Sequence, residues 1–104
     1  MSSEKIESDK NKSGMVDFFS IDLYSLLELF IVILNEKVWR YIGLRVDPQT
    51  EKINRNFEKA HLAIDCIISL VDKLENKISQ DKINEFRNMI TELQMNYVNQ
   101  LNKK

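Results

Sequence analysis

The residues with the most chemical potential in this 104-residue chain stand close together: His61, Asp65 and Cys66. His61 is the only histidine and Cys66 the only cysteine. A zinc-type site needs three or four such ligands converging on one point. On a helix, each residue turns by about 100°. Cys66 therefore falls on a different side from His61, and the two cannot share a metal or form a thiolate–imidazole pair. Asp65 sits next to Ile64 at the border of an apolar face. It reads as a buried or half-buried acid held by a structural partner, with Arg40 and Tyr41 as candidates on the preceding helix. No second carboxylate is placed for acid–base work. Gly14 and Gly43 alone cannot build a phosphate-cradling loop. The expectation is a protein that is not an enzyme and carries no cofactor and no metal.

Basic side chains offer a different chemistry. Lys52, Arg55 and Lys59 line one face at helical spacing, but Glu51, Glu58 and Asp65 stand among them. That pattern predicts a solvated face with ion pairs. Net charge is −1 and the pI near 5.8, whereas a dedicated nucleic-acid binder shows a basic excess. A nucleic-acid or ribonucleoprotein accessory, using that face and the Lys103-Lys104 end, is kept as the alternative function. The single Cys excludes an internal disulfide and favours a reducing compartment. Residues 1–14 hold no apolar h-region of a signal peptide. The longest apolar run, Leu29 to Leu34, is six residues where a membrane span needs about 20. The expected location is cytoplasmic.

The elements that must position these residues are helices. Gly (2) and Pro (1) are too scarce for the frequent turns of a sheet. The charged stretch 1–15 predicts a disordered tail, residues 16–101 a single helical domain, and 102–104 a frayed end. The first helix starts between Asp17 and Asp22 and runs to Ile42, where Gly43 supplies a left-handed C′ and Leu44 packs back on Trp39. One apolar stripe runs through Leu23, Leu26, Leu27, Phe30, Leu34, Val38 and Tyr41. A second runs through Leu29, Val32 and Trp39, with Ile31 and Ile33 filling the gap. Asp47-Pro48-Gln49-Thr50 reads as a turn, or as a helix start with Pro48 at its first position; a later start capped by Asn56 fits equally. The second helix carries a heptad seam through Ile53, Phe57, Ala60, Ile64, Ile67, Val71, Leu74 and Ile78. Asn76 is suited to a left-handed C′, Ser79 to an N-cap, and Ile78 with Ile83 to a hydrophobic staple. The third helix repeats the spacing at Ile83, Phe86, Ile90, Leu93 and Tyr97.

A short turn makes the second and third helices an antiparallel hairpin. The predicted fold is thus all-α: a long first helix packed on an antiparallel two-helix hairpin and completed by self-association. A hairpin covers one side of a helix, and the first helix is apolar on two. Leu29, Val32 and Trp39 are the candidate interaction surface. Gly43, Pro48, Asp65, Asn76 and Ser79 are read as structural. The expected function is a non-enzymatic helical module that self-associates as a homo-oligomer and binds an unidentified protein partner, with nucleic acid disfavoured and no membrane span.

Ile42-Gly43-Leu44, Asp47-Pro48-Gln49-Thr50, Ala60, Ile64-Asp65, Leu70, Leu93 and Tyr97 together resemble the bacterial domain-of-unknown-function family 1844. Val16-Asp17-Phe18 and Ser25-Leu26 fit its usual opening, so the resemblance spans about residues 16–98. It implies a small helical protein with no assigned activity and supplies no catalytic residue. The chain departs from the family pattern at both turns, and at the second Leu74 and Lys77 also stand in place of the usual threonine and asparagine. Asn76 replaces the glycine of the second turn, and Glu51 stands where a glycine often follows the Pro-x-Thr turn.

Overall fold

The computed structural model describes residues 19–103. The tail expected over 1–15, the opening Val16-Asp17-Phe18 and Lys104 lie outside them. Three long helices follow in order, α1 (Leu23–Tyr41), α2 (Phe57–Leu74) and α3 (Gln80–Asn102), with no strand among the described residues. α1 packs mainly on α2, less on α3, and α2 packs on α3.

Each helix start is set by a short polar side chain. Asp22 caps α1: its Oδ2 accepts from the N–H of Tyr24 at 3.0 Å and of Ser25 at 3.4 Å. Asn56 caps α2 through Lys59 N–H, and Ser79 caps α3 through Lys82 N–H. These bonds satisfy amides that have no partner within the helix. α1 ends in a Schellman motif. Gly43 N–H donates to Arg40 O and Leu44 N–H to Trp39 O, both at 3.0 Å, and Gly43 holds φ at +91°. The anticipated C-cap is thereby present.

The connection of residues 42–56 decides where α2 lies. Asp47 closes a turn, accepting from Gln49 N–H at 2.8 Å, and Glu51 N–H returns to Asp47 O. Of the two starts open from the sequence, the later one is real. Asn56 N–H donates to Tyr41 O at 2.8 Å, pinning the first residues of α2 to the end of α1 and making the two helices antiparallel. Ile53, placed on the heptad seam, precedes the helix and is exposed. The second turn behaves as expected, with Asn76 at φ +70°. Arg87 ties α2 to α3, 3.0 Å from both Asp72 Oδ1 and Glu75 Oε1. Hydrogen bonds to Glu75 first and Asp72 second raise its already high pKa, so the guanidinium stays charged. At the far edge Lys82 of α3 reaches Glu28 of α1 at 3.6 Å.

The core is one cluster. It takes Ile31, Val38 and Ile42 from α1 and its cap, Ala60, Ala63, Ile64, Ile67, Val71 and Leu74 from α2, and Ile83, Phe86, Ile90 and Leu93 from α3. Burying one such large side chain stabilises by roughly 1.5–3 kcal/mol. Apart from Ile53, the seams of α2 and α3 match expectation, with Ile68, Leu70 and Met89 packed beside them.

The inward stripe of α1 differs from the predicted one. Ile31, assigned only to fill a gap, is fully buried, while Leu23 and Phe30 are 61% and 44% exposed. The stripe that packs is Leu27, Ile31, Leu34, Val38 and Ile42, at steps of four and three. Both stripes obey helical spacing, so periodicity alone cannot say which one turns inward.

Candidate interaction surface

Turning Ile31 inward turns other apolar residues out. Phe30, Val32 and Ile33 are 44%, 50% and 42% exposed within one turn of helix, and Leu26 and Leu29 are half-buried. On the side facing α2, Phe30, Ile33 and Leu34 form one wall of an open groove, and Leu70, Cys66, Ser69 and Asp65 form the other. The groove has a volume of about 560 Å³ and its lining is almost wholly apolar. It stays open because nothing among the described residues fills the furrow between α1 and α2. Leu62 lies further along α2 and is exposed as well. Sequence reasoning singles out neither Phe30 nor Cys66 for this role. The signal available is that Leu29 to Leu34 is apolar at every position, so some of it has to face outward.

The predicted surface is only partly formed. Val32 is open and Leu29 half-buried, but Trp39 is packed against the core, with the Arg45 guanidinium 6.0 Å from its ring centroid. Arg45 is held there by Glu36, to which it is ion-paired. Trp39 thus belongs to the fold, not to the open face. One helical step of about 100° from Val38 brings it to the edge of the core, where a ring this large reaches the buried side chains.

Asp65 needs the same kind of correction. The expectation is a buried or half-buried acid against Arg40 or Tyr41; its side chain is 60% exposed. One helical step beyond Ile64 carries it out to solvent. Its partner is His61, 3.5 Å away at the i,i+4 spacing. That spacing is legible in the sequence, where it points to a local pair as readily as to a metal. His61 in turn lies beside Tyr97, with ring centroids 6.1 Å apart, and Tyr97 meets Phe57 edge-on at 5.8 Å. These contacts hold the start of α2 against the end of α3. Among the described residues no group of three or more His, Cys, Asp or Glu is placed to hold a metal ion. Cys66 carries a free, exposed thiol at the groove.

The basic residues are dispersed. Lys59 stands over the Tyr41 ring at 5.9 Å, and Arg55 lies across Gly43, where an added Cβ would fall 2.5 Å from its Nε. A polar cleft of about 300 Å³ at the end of α1 is lined by Lys37, Arg40, Tyr41, Asp47, Pro48, Gln49 and Asn54. Pro48 is exposed on its rim and sets the direction of the turn. Among the described residues no helix is long and apolar enough to cross a membrane.

Comparison with curated proteins and with solved structures finds no match for the chain. A family model does match, over residues 24–99, which takes in all but the first residue of α1, both turns, α2 and most of α3. The chain therefore belongs to the family described as Domain of unknown function (DUF1844).

Proposed function

We propose that this chain is a non-enzymatic helical module that associates with protein chains, its own copies included, through the outward face of α1 and the groove beside it. The observation that carries this reading is the groove, walled by Phe30, Ile33 and Leu34 on one side and Cys66 and Leu70 on the other. A contiguous apolar surface left open to water is unfavourable, and on soluble proteins such patches mark contact sites. An amphipathic helix laid into a furrow between two helices buries apolar groups on three sides at once.

Light scattering on the purified protein tests it. The expected result is a mass above that of one chain at micromolar concentration. Phe30→Glu or Ile33→Glu should return a folded monomer, because both side chains point away from the core. A wild-type monomer at high micromolar concentration that also captures no helical partner would sink the reading. The alternative, a nucleic-acid accessory, draws less support. Lys59 and Arg55 are occupied within the fold, and the net charge of −1 gives no phosphate-binding excess. Absence of a salt-sensitive shift with RNA or DNA at low ionic strength would remove it.

A further inference from the structure

The outward face of α1 contains a second heptad seam. Asp22, Leu26, Leu29, Ile33, Glu36 and Arg40 follow at steps of four, three, four, three and four. This is the spacing that keeps a seam facing a partner helix. The seam lies opposite the buried stripe of Ile31 and Val38. Its centre is apolar and its two ends are charged with opposite sign. Asp22 and Arg40 are eighteen residues apart, five whole turns at 3.6 residues per turn, so they share one meridian of the helix. Asp22 is the cap of α1, through Oδ2 alone, and Arg40 is half-buried on the polar cleft, yet neither carries an ion pair among the described residues.

We infer that two copies of the chain pair through this seam, α1 against α1, antiparallel about a two-fold axis level with Ile31. This rests on the self-association reading above and specifies its partner and geometry. In that register Leu29 of each copy meets Ile33 of the other, and Asp22 of each copy meets Arg40 of the other. Lys37 falls opposite Ser25, and Glu36, already paired with Arg45, falls opposite Leu26. No like charges are opposed. Parallel pairing would instead set Asp22 on Asp22 and Arg40 on Arg40, with repulsion at both ends. An isologous contact uses the same patch on both copies, and this patch is complementary to itself only when antiparallel. Leu23 and Phe30 flank the seam on one side and Val32 on the other, widening the contact.

Charge reversal tests the register. Arg40→Glu alone sets a second acid against Asp22 at both ends of the dimer. Asp22→Lys alone sets a second base against Arg40 at both ends. Sedimentation equilibrium should show each variant's dimer weakened about tenfold. An equimolar mixture of the two should recover dimer near wild-type affinity, because both ends of the heterodimer are then attractive. Asp22→Asn keeps the helix cap while removing the charge, and should weaken the dimer a few-fold with helical circular dichroism unchanged. Single variants that dimerise as wild type does, or a mixture that recovers nothing, would overturn the antiparallel pairing and leave self-association through another face. A monomeric wild type would overturn both.

Discussion

Gly43, Glu51 and Asn76 all hold a positive φ, yet only one of them is glycine. At Gly43 the demand is double, because φ is +91° and a Cβ would press on Arg55. Gly43→Ala is expected to cost about 1–3 kcal/mol in chemical denaturation. The other two positions run the opposite way. Glu51 at φ +59° carries a left-handed penalty of roughly 1–2 kcal/mol, partly offset by the entropy glycine would lose on folding. Glu51→Gly should therefore stabilise by about 0.5 kcal/mol, and Asn76→Gly by less, since Asn tolerates this conformation better. A loss of stability in Glu51→Gly would contradict the argument. Asn76 is readable from its residue type alone. Glu51 is readable only from the glycine that the family pattern sets there, because a glutamate has no intrinsic preference for that conformation. Asp65 is not readable, because one helical step separates a core position from solvent, and type does not tell which side of the border it falls on.

At the scale of elements, caps and the interhelix clamp can be told apart by salt. Ser79→Ala and Asn56→Ala each remove one capping acceptor and should cost about 1 kcal/mol, with little dependence on ionic strength. Arg87→Ala removes the link from α3 to Asp72 and Glu75. Its side chain is substantially solvated, so the pairs are screened, and the loss should be about 0.5–1 kcal/mol at low salt. Denaturation curves in dilute buffer and in about 1 M sodium chloride check this, since the Debye length at the higher salt is roughly 3 Å. The Arg87→Ala penalty should shrink there and the Ser79→Ala penalty persist. Equal salt responses would remove the electrostatic role assigned to Arg87. The α2–α3 turn is legible because its cap, left-handed residue and staple lie within a few positions of one another. The α2 start is not, because Asp47-Pro48 and Asn56 are both good caps. The bond from Asn56 N–H to Tyr41 O is a tertiary contact, and it settles the choice.

For the whole molecule, neighbouring isoleucines on α1 do different work. Ile31 is fully buried in the three-helix core, and Ile33 is 42% exposed beside the groove. Ile31→Ala should cost about 2–4 kcal/mol by lost burial and cavity formation. Ile33→Ala should leave the stability of a monomer nearly unchanged and weaken association instead. Thermal melts at several protein concentrations separate the two effects, because a stabilising dimer makes the midpoint concentration-dependent. A large, concentration-independent loss in Ile33→Ala would place that residue in the core and undo the assignment of faces.

The sequence by itself determined that the chain is helical, where its second turn lies, the caps at Gly43, Asn76 and Ser79, and which faces of α2 and α3 form the hairpin. These follow from local chemistry: turn residues, capping side chains and unambiguous heptad spacing. It also determined that α1 has more apolar surface than one hairpin covers. Only the tertiary structure decided which surface that is. α1 is apolar through Leu29 to Leu34 without interruption, so its periodicity allows several inward stripes of nearly equal merit. Packing against α2 chose the stripe containing Ile31, drew Trp39 in under Arg45, and left Phe30, Val32 and Ile33 outside. That choice is made by the fit of side chains from three helices at once, and no single segment encodes it.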